Sequence, residues 1–122
     1  MKKQIRIDRE KETPGVLFQI ETGELEIKGR SFPAEGDTFY KPIIEAVDDV
    51  TSDSITVKLE FEYANTSTVR EIVKLLKKVK AANKKSKVIF VYEEGDNDMQ
   101  EFGEDLESVS GLPFVYVINP ED

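Results

Sequence analysis

A chain of 122 residues with neither cysteine nor histidine has no disulfides, no thiolate metal ligands, no cysteine nucleophile, and lacks the commonest general base and zinc ligand. Its formal net charge of −8 argues against nucleic-acid binding, whose electrostatic footprint is a basic face. Hydrophobic residues at 39% and charged residues at 34% suit one well-solvated globular domain over residues 1–122. No apolar run reaches membrane-spanning length. Met1-Lys2-Lys3 continues into Gln4, Arg6 and Asp8 instead of an apolar signal core, so the expected compartment is the cytoplasm, with no membrane partner.

Gln4 to Asp8 alternates apolar and polar residues, as a strand or extended arm does, until Thr13-Pro14-Gly15 interrupts it. Val16 to Ile20 and Leu25 to Ile27 flank Glu21-Thr22-Gly23-Glu24, a glycine-containing connection of hairpin length. Glu24, Glu26 and Lys28 give that hairpin one wet face or an edge. Gly29 to Gly36 reads as a loop from its Gly, Ser and Pro content. Phe39, Tyr40, Ile43, Ile44, Val47 and Val50 then recur at helical spacing. Proline is comfortable only in a first turn, so Pro42 puts the regular start of this helix near Lys41, and Thr51-Ser52-Asp53 closes it.

Ile55, Val57, Leu59 and Phe61 alternate with Thr56, Lys58, Glu60 and Glu62, which predicts a half-buried strand running to Tyr63. A second helix over Val69 to Ala82 places Val69, Ile72, Val73, Leu76 and Val79 on one stripe. Its lysines gather at the C-terminal end, where they oppose the helix dipole. Val88 to Tyr92 is an apolar run of strand length, and Glu93 to Asp98 an acidic turn. Met99, Phe102, Leu106 and Val109 predict a third helix capped by Asp98, stopped at Gly111-Leu112-Pro113, before a last strand from Phe114 to Ile118. The expected fold is α/β: an N-terminal β-hairpin followed by αβαβαβ, with right-handed parallel crossovers and helices packed on a mixed sheet.

Little here nominates an active site. The glycines form neither GxGxxG nor GxxxxGK[ST], and no spacing singles out a catalytic pair among the 25 acidic residues. Glu93 to Asp98 matches no calcium-loop spacing and is explained by a solvated turn before a helix. A small carboxylate- or metal-dependent enzyme using that turn is kept as the alternative of a different class. No cofactor or resident metal is expected.

The stretch Tyr63-Ala64-Asn65-Thr66-Ser67-Thr68 is more informative. Short hydroxyl and amide side chains at a strand-to-helix junction are helix-capping chemistry, and Thr68-Val69-Arg70-Glu71 has the capping-box spacing. A well-capped helix accounts for the cluster by itself. The same place also suits a phosphorylation switch, because backbone N–H groups and the dipole stabilise an added anion at a helix N-terminus.

These residues also belong to a longer pattern. It comprises Thr13-Pro14, Glu21-Thr22-Gly23, Ile27-Lys28-Gly29, Ser31-Phe32-Pro33, Phe39-Tyr40-Lys41-Pro42, Leu59-Glu60-Phe61, Asn65-Thr66-Ser67, Asp98-Met99, Gly103-Glu104-Asp105 and Leu112-Pro113-Phe114. In this order the chain resembles the SiaC family of bacterial regulatory phosphoproteins, whose fold is similar to the STAS domains of anti-sigma-factor antagonists. The resemblance implies a non-enzymatic partner-switching module phosphorylated on Thr66. Asn65, Ser67, Thr68 and Arg70 would be the phospho-site neighbours that meet partners. It implies a protein kinase, a metal-dependent serine/threonine phosphatase, and a diguanylate cyclase activated by the unphosphorylated form to promote aggregation or biofilm growth. An anti-sigma-factor antagonist acting on an anti-sigma kinase is the nearest alternative. The chain departs from the family pattern at Pro33-Ala34-Glu35, where Pro-Glu-Asn is common, and at Ala46, where a tryptophan is usual; both bear on partner choice if they face the effector.

Overall fold

The computed structural model describes residues 3–120; Met1 and Lys2, part of the leader reading above, lie outside them. Six strands, β1 (Gln4–Ile7), β2 (Gly15–Gln19), β3 (Glu24–Ser31), β4 (Ser54–Ala64), β5 (Lys85–Glu93) and β6 (Phe114–Asn119), form one sheet in chain order. The first three pair antiparallel and the rest parallel. Each parallel step is bridged by a helix: α1 (Gly36–Ala46), α2 (Thr66–Ala81) and α3 (Asn97–Ser110). The hairpin followed by three helix–strand units is therefore the observed order, with β1 added outside the hairpin.

Alternation makes each strand two-faced. Leu25 and Ile27 of β3, Ile55 to Phe61 on β4 and Val88 and Phe90 of β5 are buried on one side. There α2 lies against both α1 and α3, and Tyr40, Ile43, Ile72, Leu75, Leu76, Val79, Met99 and Leu106 complete one contiguous core. The other face holds charge pairs: Lys58–Glu26 at 3.4 Å, Lys28–Glu60 at 3.9 Å, and Arg9–Glu62. Exposed pairs of this kind contribute about 0–1 kcal/mol each, so they keep the face wet more than they hold the sheet.

Several boundaries differ from expectation. Gly29 to Ser31 is strand, not loop, because β3 stays paired to β4 through Ser31↔Ala64 after a register shift at Gly29/Arg30. Gly29 takes φ +134 at that shift, a backbone region glycine alone enters easily. The first helix starts at Gly36, five residues before Lys41, with Pro42 inside it. Its first turns hold because Tyr40 is fully buried, and the bond Pro42 forgoes would have gone to the carbonyl of exposed Thr38, which water can serve. Regular helix ends at Ala46, followed by a 3-10 turn over Val47–Asp49. On α3, Val109 is 51% exposed and the buried stripe is Met99, Gly103, Leu106 and Ser110. Gly103 sets that rotation: a Cβ there would lie 2.8 Å from the Phe90 ring, so the helix rests on the sheet through its glycine.

Candidate functional site

β4 carries the chain to Ala64, and α2 begins two residues later. Asn65 keeps an extended backbone, and its Oδ1 accepts the Thr68 N–H at 2.8 Å. Its carbonyl accepts the Val69 N–H at 3.0 Å. Asn65 is therefore the cap, and Thr68, expected to cap, lies inside the first turn. Glu71 does not reach back as a capping box requires; it is buried and bonded to Lys74 at 2.9 Å. At the acidic turn the cap again lies earlier than expected, by two residues: Asp96, not Asp98, caps α3 by accepting the Met99 N–H at 3.1 Å.

The three consecutive hydroxyls of α2 have three different surroundings. Thr66, the first helical residue, is exposed, and its hydroxyl is bonded to no described residue. Ser67 is half-buried, and its Oγ lies where a Cβ on Gly36 would stand, 2.1 Å from that position. Thr68 is fully buried. Its Oγ1 donates to the Ser31 carbonyl at 3.0 Å and lies 2.7 Å from Ser31 Oγ, which is 2.6 Å from the Tyr40 hydroxyl. One hydrogen assignment uses every contact: Tyr40 donates to Ser31 Oγ, Ser31 to Thr68, and Thr68 to the Ser31 carbonyl. That carbonyl also accepts the Asn65 N–H at 3.0 Å. The chain of bonds ties the first turn of α2 to β3 and α1. Burial pushes the Tyr40 phenol up to about 12; its hydrogen bonds to Ser31 and Thr68 work in the opposite direction, and Glu71 adds a smaller upward push.

With the Thr68 and Val69 N–H groups taken by Asn65, those of Thr66 and Ser67 remain open at the positive end of α2. The first turns of α1 and α3 hold Asp37 and Asp98, whereas that of α2 has no acidic residue. Arg70, one turn on, is exposed and forms no ion pair with a described residue. Beside the site Phe32 and Tyr63 meet edge to face at 5.8 Å, and Arg30 lies 5.4 Å over the Phe32 ring. Tyr63 is 49% exposed. A shallow cleft runs from Tyr63 and Val69 to α3, walled by Glu62, Asp98, Glu101 and Asp105. Among the described residues no three Asp or Glu side chains are arranged to hold a metal, and no helix is long and apolar enough to cross a membrane.

Asn65, Thr66, Ser67 and Thr68 thus share one turn, with Thr68 facing inward and Arg70 at its solvent side. Sequence reasoning from the cluster missed Ser31, Gly36 and Tyr40, which shape it from two other elements. The motif pieces Ser31-Phe32-Pro33 and Phe39-Tyr40 contained two of the three.

A family model for SiaC family regulatory phosphoproteins matches residues 7–118. The chain belongs to the SiaC family. It is similar to apo-SiaC from Pseudomonas aeruginosa over 93% of its length and 98% of that chain, with 19% identity and a TM-score of 0.79. A chain in the crystal structure of the diguanylate cyclase SiaD in complex with its activator SiaC, from the same organism, is similar over 94% and 99%, with 17% identity and a TM-score of 0.84. Another structure of SiaC of P. aeruginosa is similar over 97% and 98%, with 20% identity and a TM-score of 0.74. At such identities these neighbours establish the fold. No curated protein sequence matches the chain. Of the two departures from the SiaC pattern, Ala46 is buried in the core and cannot meet an effector, while Ala34 and Glu35 are exposed at the entrance to α1.

Proposed function

We propose that this protein is a non-enzymatic switch governed by reversible phosphorylation of Thr66. A protein kinase adds the phosphate and a metal-dependent serine/threonine phosphatase removes it. The unphosphorylated form docks on a diguanylate cyclase and activates it. The observation that carries the reading is the sorting of hydroxyls at the start of α2: Thr66 is open to solvent, Ser67 is packed on Gly36, and Thr68 is locked in a buried hydrogen-bond chain. A phosphate on Thr66 would meet two open N–H groups, the positive end of the dipole, and Arg70 at i+4. The cyclase as partner is supported by the fold shared with the activator of SiaD and by the family.

The phosphate would act without unfolding anything. It adds about −1.5 to −2 charges beside Tyr63 and an acidic cleft, on a surface that is otherwise partly apolar. Bulk and charge there oppose close docking of a partner on Tyr63 and Phe32. The test is cyclase activation by purified protein. Wild type and Thr66→Ala should both activate, and the Thr66-phosphorylated protein should not. Equal activation by phosphorylated and unphosphorylated protein would refute the switch.

A further inference from the structure

The far edge of the sheet differs from the near one. β1 ends the sheet in four residues that include Arg6, whose side chain meets Asp8 at 4.0 Å. A short, charged edge is a usual guard against unwanted strand pairing. β6, Phe114–Asn119, has no such guard: it contains no charge and no proline. Its pairing to β5 runs in register from Val88↔Phe114 to Glu93↔Asn119. The Pro113 carbonyl accepts the Val88 N–H at 2.9 Å, and the Asn119 carbonyl accepts the Glu94 N–H at 2.8 Å. A parallel ladder uses alternate residues, so the odd-numbered main-chain groups face β5 and those of Phe114, Tyr116 and Ile118 face outward. Val115, Val117 and Ile118 are 50%, 41% and 52% exposed. Among the described residues, unpaired main-chain groups and exposed apolar side chains therefore coincide on one strand.

The charge beside that edge selects the occupant. α3 carries Asp98, Glu101, Glu104, Asp105 and Glu107, and neither lysine nor arginine. Glu107 accepts the Tyr116 hydroxyl at 2.7 Å and so stands over the helix side of β6, and Glu104, three residues before it on α3, adds to the negative field on that phenol. Of the bases on neighbouring elements, Lys80 is bonded to the Gly111 carbonyl at 3.3 Å, and Lys87 immediately precedes Val88, the residue paired with Phe114. A second copy brought edge to edge, antiparallel and with its helices on the same side, would set its own Glu104 and Glu107 against the same carboxylates of the first, like charge against like. We propose that β6 is a docking edge for an extended segment of a partner protein, apolar on the open face of the sheet and basic on the face toward α3. Such a segment adds a seventh strand: its main chain pairs with Tyr116 and Ile118, alternate apolar residues cover Val115 and Val117, and the intervening lysines or arginines meet Glu104 and Glu107.

Amide hydrogen exchange followed by NMR on the whole chain tests this, with a short peptide of alternating valine and lysine as probe. In free protein the Val117 amide should exchange slowly and those of Tyr116 and Ile118 quickly. The valine–lysine peptide should slow exchange at Tyr116 and Ile118 by about tenfold or more, an effect that weakens as salt is raised. A valine–glutamate peptide should produce none, and Val117→Lys, an exposed substitution that leaves the core amides protected, should abolish the response. Failure of the valine–lysine peptide at millimolar concentration would overturn the proposal, as would equal protection by both peptides. Protection that appears without peptide as the protein is concentrated would overturn it in favour of a second copy.

Discussion

Replacing Thr68 by valine keeps the side-chain volume and removes only the oxygen that links α2 to β3. Two contacts go, at 3.0 Å to the Ser31 carbonyl and at 2.7 Å to Ser31 Oγ. No acceptor is orphaned, because the Ser31 carbonyl retains the Asn65 N–H and Ser31 Oγ retains Tyr40 at 2.6 Å. The Ser31 hydroxyl proton, however, loses the Thr68 oxygen it was given to, so the cost is about 2–3 kcal/mol, the two net hydrogen bonds together with one buried donor left unsatisfied. Thr66→Ala, by contrast, touches an exposed hydroxyl with no described partner and should stay within about 0.5 kcal/mol of wild type. Urea denaturation separates the two. With an m-value of about 1–3 kcal/mol/M, Thr68→Val should lower the midpoint by about 1 M at unchanged slope while Thr66→Ala leaves it in place. Equal midpoints for the two variants would refute the division into a structural hydroxyl and a free one.

Other substitutions probe the same frame. Asn65→Ala removes the cap on Thr68 N–H and should cost about 1 kcal/mol by denaturant titration, more than Thr66→Ala. Gly103→Ala puts a Cβ 2.8 Å from the Phe90 ring, so α3 must lift; about 1–3 kcal/mol of destabilisation with altered Phe90 and Tyr116 ring signals is expected. The Tyr40 phenol, held at about 12 in the fold against 10.0 free, favours the folded state while protonated. Stability is fully present below pH 10 and declines as the pH rises from 10 to 12, by about 3 kcal/mol from this group alone. In Tyr40→Phe that alkaline decline, followed by circular dichroism, should be shallower.

The fold was readable wherever one face of an element decides its fate. The alternation from Ile55 to Phe61 and the stripe from Ile72 to Val79 are local patterns, and they appear in β4 and α2 as expected. Boundaries failed where a contact from a distant element decides. Nothing near Asp37 announces a helix start before Pro42; Tyr40, buried against Ser31 of a different strand, holds that turn. Val109 fits the period of α3, but the helix is turned by Gly103, whose missing Cβ matters only once Phe90 lies beneath it. At the site, the cluster was visible and its internal division was not. Thr66 and Thr68 are chemically alike, and only Ser31 and Tyr40, far apart in sequence, separate the buried one from the open one.

The most direct measurement is residue-level phosphate mapping by mass spectrometry on the protein isolated from its own cells. Phosphate on Thr66, with Ser67 and Thr68 unmodified, is the predicted result. Phosphate on Thr68 or Ser67 with Thr66 bare would contradict it, since the first would require opening the buried contacts of Thr68 with Ser31 and the second displacing Gly36.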